Sequence, residues 1–538
     1  MTVTEDAPAA ALASSEPIAP PAPAGLAAVL GSGDHKVVGR LWIVAALAHL
    51  LLVGVASLYV AAQRIDLDGL ADPGGWFAQI VTYRAIGGAF LVLLPLTIGL
   101  ATVIVPLQVG ASTLAFPRAA AAAAWGYLIA GGLVIGSYTI DGGPFGSDRD
   151  GVLLFVVALA LVLVAEVIAW ICLMTTVVTL RAPGMSLART PLFSWSALVA
   201  GGVWVLSLPV LAAMLLITYV FVRYGGADSS DIYSRISWAF AQPTVYAFGI
   251  PVLGFVATVV PVFSATRHHL NRHARNAIAA FGAFSIGAWA LPGFVGSSTP
   301  WLYELPWVAM SFLIVLPILV LMGLWAATIR KGQVTLASPL LFGAAATLML
   351  LVGALAGAVQ AIKPIKTLVD GEGTSLFGTS WTTAVASYLF LALAIAMFGG
   401  ITFWAPKLIG RCLQEGAARG LALLLLAGTV LWSFPDLVSG LLGQGAEPGP
   451  VLGNKTTIQA LNAASLVGGV LLALAAVGFI GLVVQALRSS ELPGDDPWSG
   501  HTLEWATSSP PPAGNFTSLP AVASEAPLYD ARHQEASA

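Results

Sequence analysis

Metal and redox chemistry inside a protein rests mainly on imidazole and thiolate groups, and this chain is poor in both. Its 538 residues include seven histidines, His35, His49, His268, His269, His273, His501 and His533, and two cysteines, Cys172 and Cys412. Neutral imidazole suits Fe and Cu because it offers a lone pair without bringing charge into an apolar interior. Only His49 lies inside a long apolar run, where a lone histidine reads as a buried, hydrogen-bonded side chain. His269 and His273 would share a helix face and could pair on a metal. Arg267, Arg272 and Arg275 stand beside them and repel a cation, so that stretch reads as a basic anchor. Two cysteines cannot make a disulfide framework, and neither has the Cys/His neighbours of a zinc site.

Charged groups within apolar runs are the other chemical candidates, because each is costly in lipid and usually has a role or a partner. Glu166 sits mid-run near Val164 and Val167 and is expected to be protonated or paired. An interhelical hydrogen bond is its plain role; a proton or substrate contact is its functional one. Arg84 lies near the end of one run and can reach toward water. Asp436 lies near the end of another, and the two are expected to pair, unless Arg84 holds an anionic headgroup instead.

These residues need elements to hold them, and the composition says which. Hydrophobic residues make up 58% of the chain and charged ones 9%, against roughly 25% charged in soluble domains. With a mean hydropathy of +0.88 and a net charge of -3, an ordinary soluble enzyme, a disordered chain and a nucleic-acid binder are excluded. Twelve runs reach the roughly 20 apolar residues that a membrane helix needs. They lie near 40–62, 85–108, 119–139, 151–180, 192–222, 237–264, 276–296, 305–328, 335–362, 380–405, 417–438 and 460–487. The runs are too long and too continuously apolar for barrel strands. The fold class is therefore an all-α integral membrane protein in the lipid bilayer. Residues 1–36 and 488–538, rich in Pro with Ala or Ser, are expected to be disordered tails around a membrane domain at 37–487. Lys and Arg are in excess on the side that holds both ends, which predicts cytoplasmic termini and a plasma (inner) membrane protein.

The loops carry motifs at fixed places along the chain. They are Asp34-His35-Lys36, Val105-Pro106-Leu107, Gly110-Ala111, Ala115-Phe116-Pro117-Arg118, Arg181-Ala182-Pro183-Gly184-Met185 and Pro191-Leu192-Phe193-Ser194-Trp195. Further on stand the run from Trp238 to Tyr246, then Phe398-Gly399-Gly400, Phe403-Trp404-Ala405-Pro406-Lys407 and Gly410-Arg411. Each reads as a helix stop plus a topology signal, with Pro ending the helix and a cation beside it. In order, spacing and topology they resemble subunit I of the haem–copper terminal oxidases, over residues 34 to about 487. The resemblance implies a twelve-helix bundle that works beside other subunits of a membrane redox complex.

It also implies six imidazole ligands, two on a low-spin haem, one on an oxygen-binding haem and three on copper. The corresponding positions here hold other residues. The span-two ligand position is Arg84, in Thr82-Tyr83-Arg84-Ala85, and a guanidinium has no lone pair to give iron. The span-six His-Pro-Glu-Val-Tyr is replaced by Gln242-Pro243-Thr244-Val245-Tyr246, which keeps Tyr246. The end of span seven reads Trp289-Ala290-Leu291-Pro292, with Ala290 and Leu291 in the ligand stretch. In span ten the haem pair falls on Ala384 and Ala386 in one register, or on Val385 and Ser387 in the other. Proton-uptake positions align with Thr113, the alanines 119–124 and Leu321.

No haem or copper is therefore expected, and the chain reads as a pseudoenzyme, a structural or assembly subunit of a respiratory or other membrane redox complex. Two alternatives stand beside it. One is a working terminal oxidase subunit with unconventional ligands. The other is a transporter, or a lipid- or quinone-binding protein, that reuses the vacated haem space. Trp170, Trp238, Trp289, Trp381 and Trp404 are the residues expected to refill that space otherwise.

Overall fold

The computed structural model describes residues 31–67, 75–225, 236, 244–289, 301–362, 365, 367–368, 375–446 and 451–535. The long helices are α1 (His35–Gln63), α2 (Trp76–Val109), α3 (Pro117–Thr139), α4 (Arg149–Thr179), α5 (Leu192–Gly225) and α6 (Val245–Phe263). They continue with α7 (Asn271–Trp289), α8 (Val308–Lys331), α9 (Ser338–Gln360), α10 (Ser380–Ile409), α11 (Glu415–Leu441) and α12 (Lys455–Arg488). Among the described residues eleven helices, all but α7, are long and apolar enough to cross a membrane. Helix α7 falls short because it opens with Arg272, His273 and Arg275. The rest of the seventh run, from 290 on, lies outside the described residues.

Helix ends follow their sequence signals. The Asp34 carboxylate caps α1 by accepting from the Lys36 N–H at 2.9 Å, and Asp148 caps α4 through the Gly151 N–H at 2.7 Å. Helices α2 and α10 both stop at a left-handed glycine, Gly110 at φ 73° and Gly410 at φ 69°. At Gly110 a Cβ would also come within 2.7 Å of the Ala182 side chain, so only glycine fits there. Helix α6 and the part of α2 from Ala89 to Val109 are wholly buried. Large apolar side chains such as Val44, Val55, Ile129 and Leu216 cover the outside, as a lipid-facing surface requires.

The chain's C-terminal part departs from expectation. Residues 489–535 are not a disordered tail: they fold over the membrane-domain face formed by the starts of α1 and the ends of α2 and α10. Leu503 and Val522 pack with Val109, Ala111, Ala182 and Met185. The Asn515 side chain accepts from Lys36 Nζ at 3.0 Å and donates to the Ala111 carbonyl at 2.7 Å. Lys407 Nζ, at the end of α10, donates to the carbonyls of Thr507 at 2.5 Å and Asp495 at 2.9 Å. A few apolar anchors and many polar partners for helix-end cations hold this segment, a pattern that its Pro- and Ser-rich composition hides. Helix α1 likewise starts at His35, two residues inside the expected N-terminal tail; residues 1–30 lie outside the described residues.

Candidate functional site: an apolar cavity with a charged collar

A cavity of about 550 Å³ lies between α1, α2, α10, α11 and α12. Helix α1 lends Val53, Gly54 and Ser57 to its wall, and α2 lends Arg84 and Gly88. Thr383, Ala386, Ser387 and Phe390 face it from α10, Trp432 from α11, and Gly469 and Leu472 from α12. Where it meets α2 that helix loosens into a π-helical segment, Gly87–Leu93, a form frequent at functional sites. The small residues Gly54, Gly88 and Ala386 leave space that larger side chains would fill, while Gly469 makes room for the Trp432 ring.

The structure thus brings Arg84 to one wall with Ala386, from one of the two expected α10 registers, and Ser387, from the other. Ala384 and Val385 are buried in α10 and are not part of this wall. Gln242, Ala290 and Leu291 lie outside the described residues. Among the described residues the wall carries one guanidinium, several hydroxyls and apolar groups, with no imidazole, thiolate or thioether. That donor set does not fit a haem iron, since guanidinium offers no lone pair and a neutral hydroxyl is a poor ligand.

A second space, between α5, α6 and α10, is filled. Phe248 stacks edge-on against Trp204 of α5 and against Phe390 of α10, each with ring centroids 4.8 Å apart. These aromatics take the filling role, while Trp170 packs on Gly201 and Trp404 lies by the tail segment. Tyr246 is fully buried in α6, and its hydroxyl has no hydrogen-bond partner among the described residues.

Asp436 is held by Arg64, which corrects the expected pairing with Arg84. Arg64 Nη2 donates to Asp436 Oδ1 at 2.5 Å and to Asn462 Oδ1 at 2.9 Å, and both charged side chains are buried. Ser465 donates to the same carboxylate oxygen at 3.4 Å. Sequence reasoning missed Arg64 by placing it in a loop; the available signal was Asn462 and Ser465, three apart on one face of α12. Glu166 is fully buried in α4, and neither carboxyl oxygen has a hydrogen-bond partner among the described residues. His49 sits in α1 against the Ala45 carbonyl at 2.8 Å, with the Tyr127 hydroxyl 3.3 Å away.

On the tail face Glu504 is buried and accepts from Gln108 Nε2 at 3.0 Å and Trp404 Nε1 at 3.2 Å. Burial raises its carboxyl above the ordinary range. Burial also drives two imidazoles, His501 of the tail segment and His268 of the loop before α7, down to about 4. Both line one small pocket, with Asn271 and Glu525. His268, His269 and His273 do not converge: His269 Nδ1 meets Lys331 Nζ at 2.8 Å instead. Among the described residues no cluster of three metal-ligating side chains occurs.

The family model for cytochrome c and quinol oxidase polypeptide I matches residues 37–471. A putative cytochrome c oxidase subunit 1-beta of Streptomyces avermitilis is 30% identical over 536 residues, covering 94% of this chain and 92% of that protein. A probable cytochrome c oxidase subunit 1-alpha of Streptomyces coelicolor is 30% identical over 544 residues, covering 95% and 90%. The fold is similar to that of a haem–copper terminal oxidase dimer solved by cryo-EM, with TM-score 0.66, 14% identity and 85% of each chain covered. The chain is an integral membrane protein that belongs to the cytochrome c and quinol oxidase polypeptide I family.

Proposed function

We propose that this chain is a haem-free and copper-free member of the family, a non-catalytic structural or assembly subunit of a membrane redox complex. It would lie in the plasma membrane with both ends cytoplasmic, where its basic loops are favoured. The observation that supports the reading is the cavity wall, whose described residues, Arg84, Ala386 and Ser387 among them, offer no group that suits iron.

The test is cofactor content. Protein purified from its own membranes is expected to lack a Soret band and stoichiometric copper, and to accumulate in a host unable to make haem. Either metal in stoichiometric amount would overturn the reading. So would oxygen uptake dependent on this chain in membranes lacking other oxidases, the result expected of a working oxidase. The cavity itself favours a second reading, in which the space binds a small molecule other than haem.

A further inference from the structure

We propose that the cavity binds an uncharged lipid, a hydrocarbon chain with a hydroxyl or ester head. The inference rests on the second reading above and names the ligand's chemical class. Its support begins with two hydroxyls. Thr383 and Ser387 line the cavity one turn apart on α10, and neither makes a hydrogen bond within the described residues. The other hydroxyls of the wall are engaged: Ser57 donates to the Val53 carbonyl at 2.7 Å, and Thr382 accepts from Gln360 Nε2 at 2.5 Å. Arg84, the one charged group of the wall among the described residues, already interacts with another part of the chain. What the wall has left to offer a ligand is therefore two neutral hydroxyls and apolar surface.

The two kinds of surface lie at different depths. Thr383 and Ser387 stand three and seven residues from the start of α10 at Ser380, and Phe398 stands eighteen. At about 1.5 Å per residue the hydroxyls lie within roughly 11 Å of the face opposite the tail segment, and Phe398 lies roughly 27 Å from it. Leu425 of α11 and Leu472 of α12 join Phe398 in lining the space. At its other limit the cavity reaches Gly378 and Ala446, loop residues joined by an Ala446 N–H to Gly378 carbonyl bond of 2.7 Å. The space thus runs from a loop at one face, past the two hydroxyls, into an apolar depth.

That order selects the ligand. An ionised head would enter a wall with no free counter-charge among the described residues, and a charge is far costlier to bury than a neutral polar group. A bare hydrocarbon would shut both hydroxyls off from water and leave them without partners. A small polar solute has no use for the apolar depth. A hydroxyl or ester oxygen on a hydrocarbon chain meets both demands. The head exchanges hydrogen bonds with Thr383 and Ser387, whose hydroxyls each donate one and accept two, while the chain fills the depth between α10, α11 and α12. The cavity's 550 Å³ falls in the range of small-molecule pockets, roughly 300–1,000 Å³. The shared chemistry allows a long-chain alcohol or a monoacylglycerol.

The experiment places full-length protein in phosphatidylcholine vesicles with a monoacylglycerol whose acyl chain bears a photoactivatable diazirine, and maps the labelled residues by mass spectrometry. Saturable labelling of the α10 and α12 residues that line the cavity is expected, with monoolein as competitor. Octadecene, a similar chain with no head, and oleyl sulfate, a similar chain with an ionised head, are each expected to compete at least tenfold more weakly. Competition by oleyl alcohol as well as monoolein assigns the hydroxyl; competition by monoolein alone assigns the glyceryl ester. Thr383→Val combined with Ser387→Ala is expected to weaken labelling about tenfold, and Ala386→Trp, which fills the space beside them, to abolish it. The competition series on the unaltered protein decides even where a variant fails to fold. Labelling that does not saturate, octadecene or oleyl sulfate competing as well as monoolein, or unchanged labelling of both variants would overturn the proposal while leaving the haem-free reading intact. Stoichiometric haem in the purified protein would overturn both.

Discussion

Two spaces flank α10, and the bundle treats them differently. Between α5, α6 and α10 the aromatic rings of Trp204, Phe248 and Phe390 close the space at centroid distances of 4.8 Å. Between α1, α2, α10, α11 and α12 the facing residues are Gly54, Gly88, Ala386 and Gly469, and about 550 Å³ stays open. Phe390 belongs to both walls, so one helix serves a filled side and an open side at once. A large void in a close-packed interior is costly, because its lining atoms lose their contacts. The bundle had side chains large enough to close both and closed one. Gly469 accommodates the Trp432 ring, and the small residues at the other three positions are then a feature to be explained by an occupant.

The largest expected effect tests the support of the open side. Asp436 lies one turn beyond Trp432, which lines the cavity, and its charge is met by Arg64. Breaking one member of a buried pair typically costs about 3–5 kcal/mol. Arg64→Ala and Asp436→Ala are each expected to fall in that range by thermal unfolding in detergent, and the double variant to regain part of the loss. Strictly additive single variants would show that the two charges do not support each other.

The two walls themselves supply the next test. Phe248→Ala removes the ring that bridges Trp204 and Phe390 and is expected to cost about 3–5 kcal/mol. Ala386→Leu adds carbon on the open side and is expected to leave the unfolding midpoint unchanged or raised in ligand-free protein. In a well-packed wall the same enlargement would cost about 1–3 kcal/mol. A loss of that size at Ala386 would erase the contrast between the two spaces.

Much of this was legible in the sequence, and the gaps have physical causes. The loops were readable because Pro, Gly and Arg act locally: the Arg-Ala-Pro-Gly-Met stretch and the left-handed Gly110 and Gly410 belong to their own turns. Arg84 was readable as a cavity residue because a charge stands out in an apolar run. The α10 positions were left between two registers, since one residue turns a helix face by about 100° and alanine marks neither side. The structure places Ala386 and Ser387, one from each register, on the cavity. Residues 489–535 were unreadable because their anchors are polar: Glu504 and Asn515 are buried by partners distant in sequence, Gln108, Trp404 and Lys36.

That segment gives a pH prediction of intermediate size. His501 has its folded value lowered from 6.5 to about 4 by burial, as has His268 in the same pocket. A lowered value means that the folded state binds fewer protons, so the stabilisation is present above pH 6.5 and is lost as pH falls toward 4. For His501, itself buried, the shift corresponds to about 3 kcal/mol. Glu504 works in the opposite sense: its raised value weakens the docked segment as pH rises above the ordinary carboxylate range. Amide exchange over 489–535 is expected to accelerate between pH 6.5 and 4, with α2 and α6 unchanged, and His501→Gln is expected to flatten that response. Uniform acceleration across the molecule would assign the acid effect to the whole bundle.

The smallest expected effect belongs to Glu166, and its size is the informative part. The carboxyl is wholly enclosed in α4, and neither oxygen meets a donor among the described residues. An ionised carboxylate in that position would carry a large desolvation cost with nothing to offset it. A neutral amide of the same shape is therefore expected to replace it with little change. Glu166→Gln is expected to shift stability by about 1 kcal/mol or less, the scale of one net hydrogen bond. Had Glu166 been one half of a buried ion pair, like Asp436, the same exchange would cost about 3–5 kcal/mol by stranding its cation. Glu166→Gln and Asp436→Asn measured side by side therefore separate the two kinds of buried acid in this bundle. Equal, large losses would place a hidden cation against Glu166, and a small loss at Glu166 alone would leave it an uncharged member of the α4 interface.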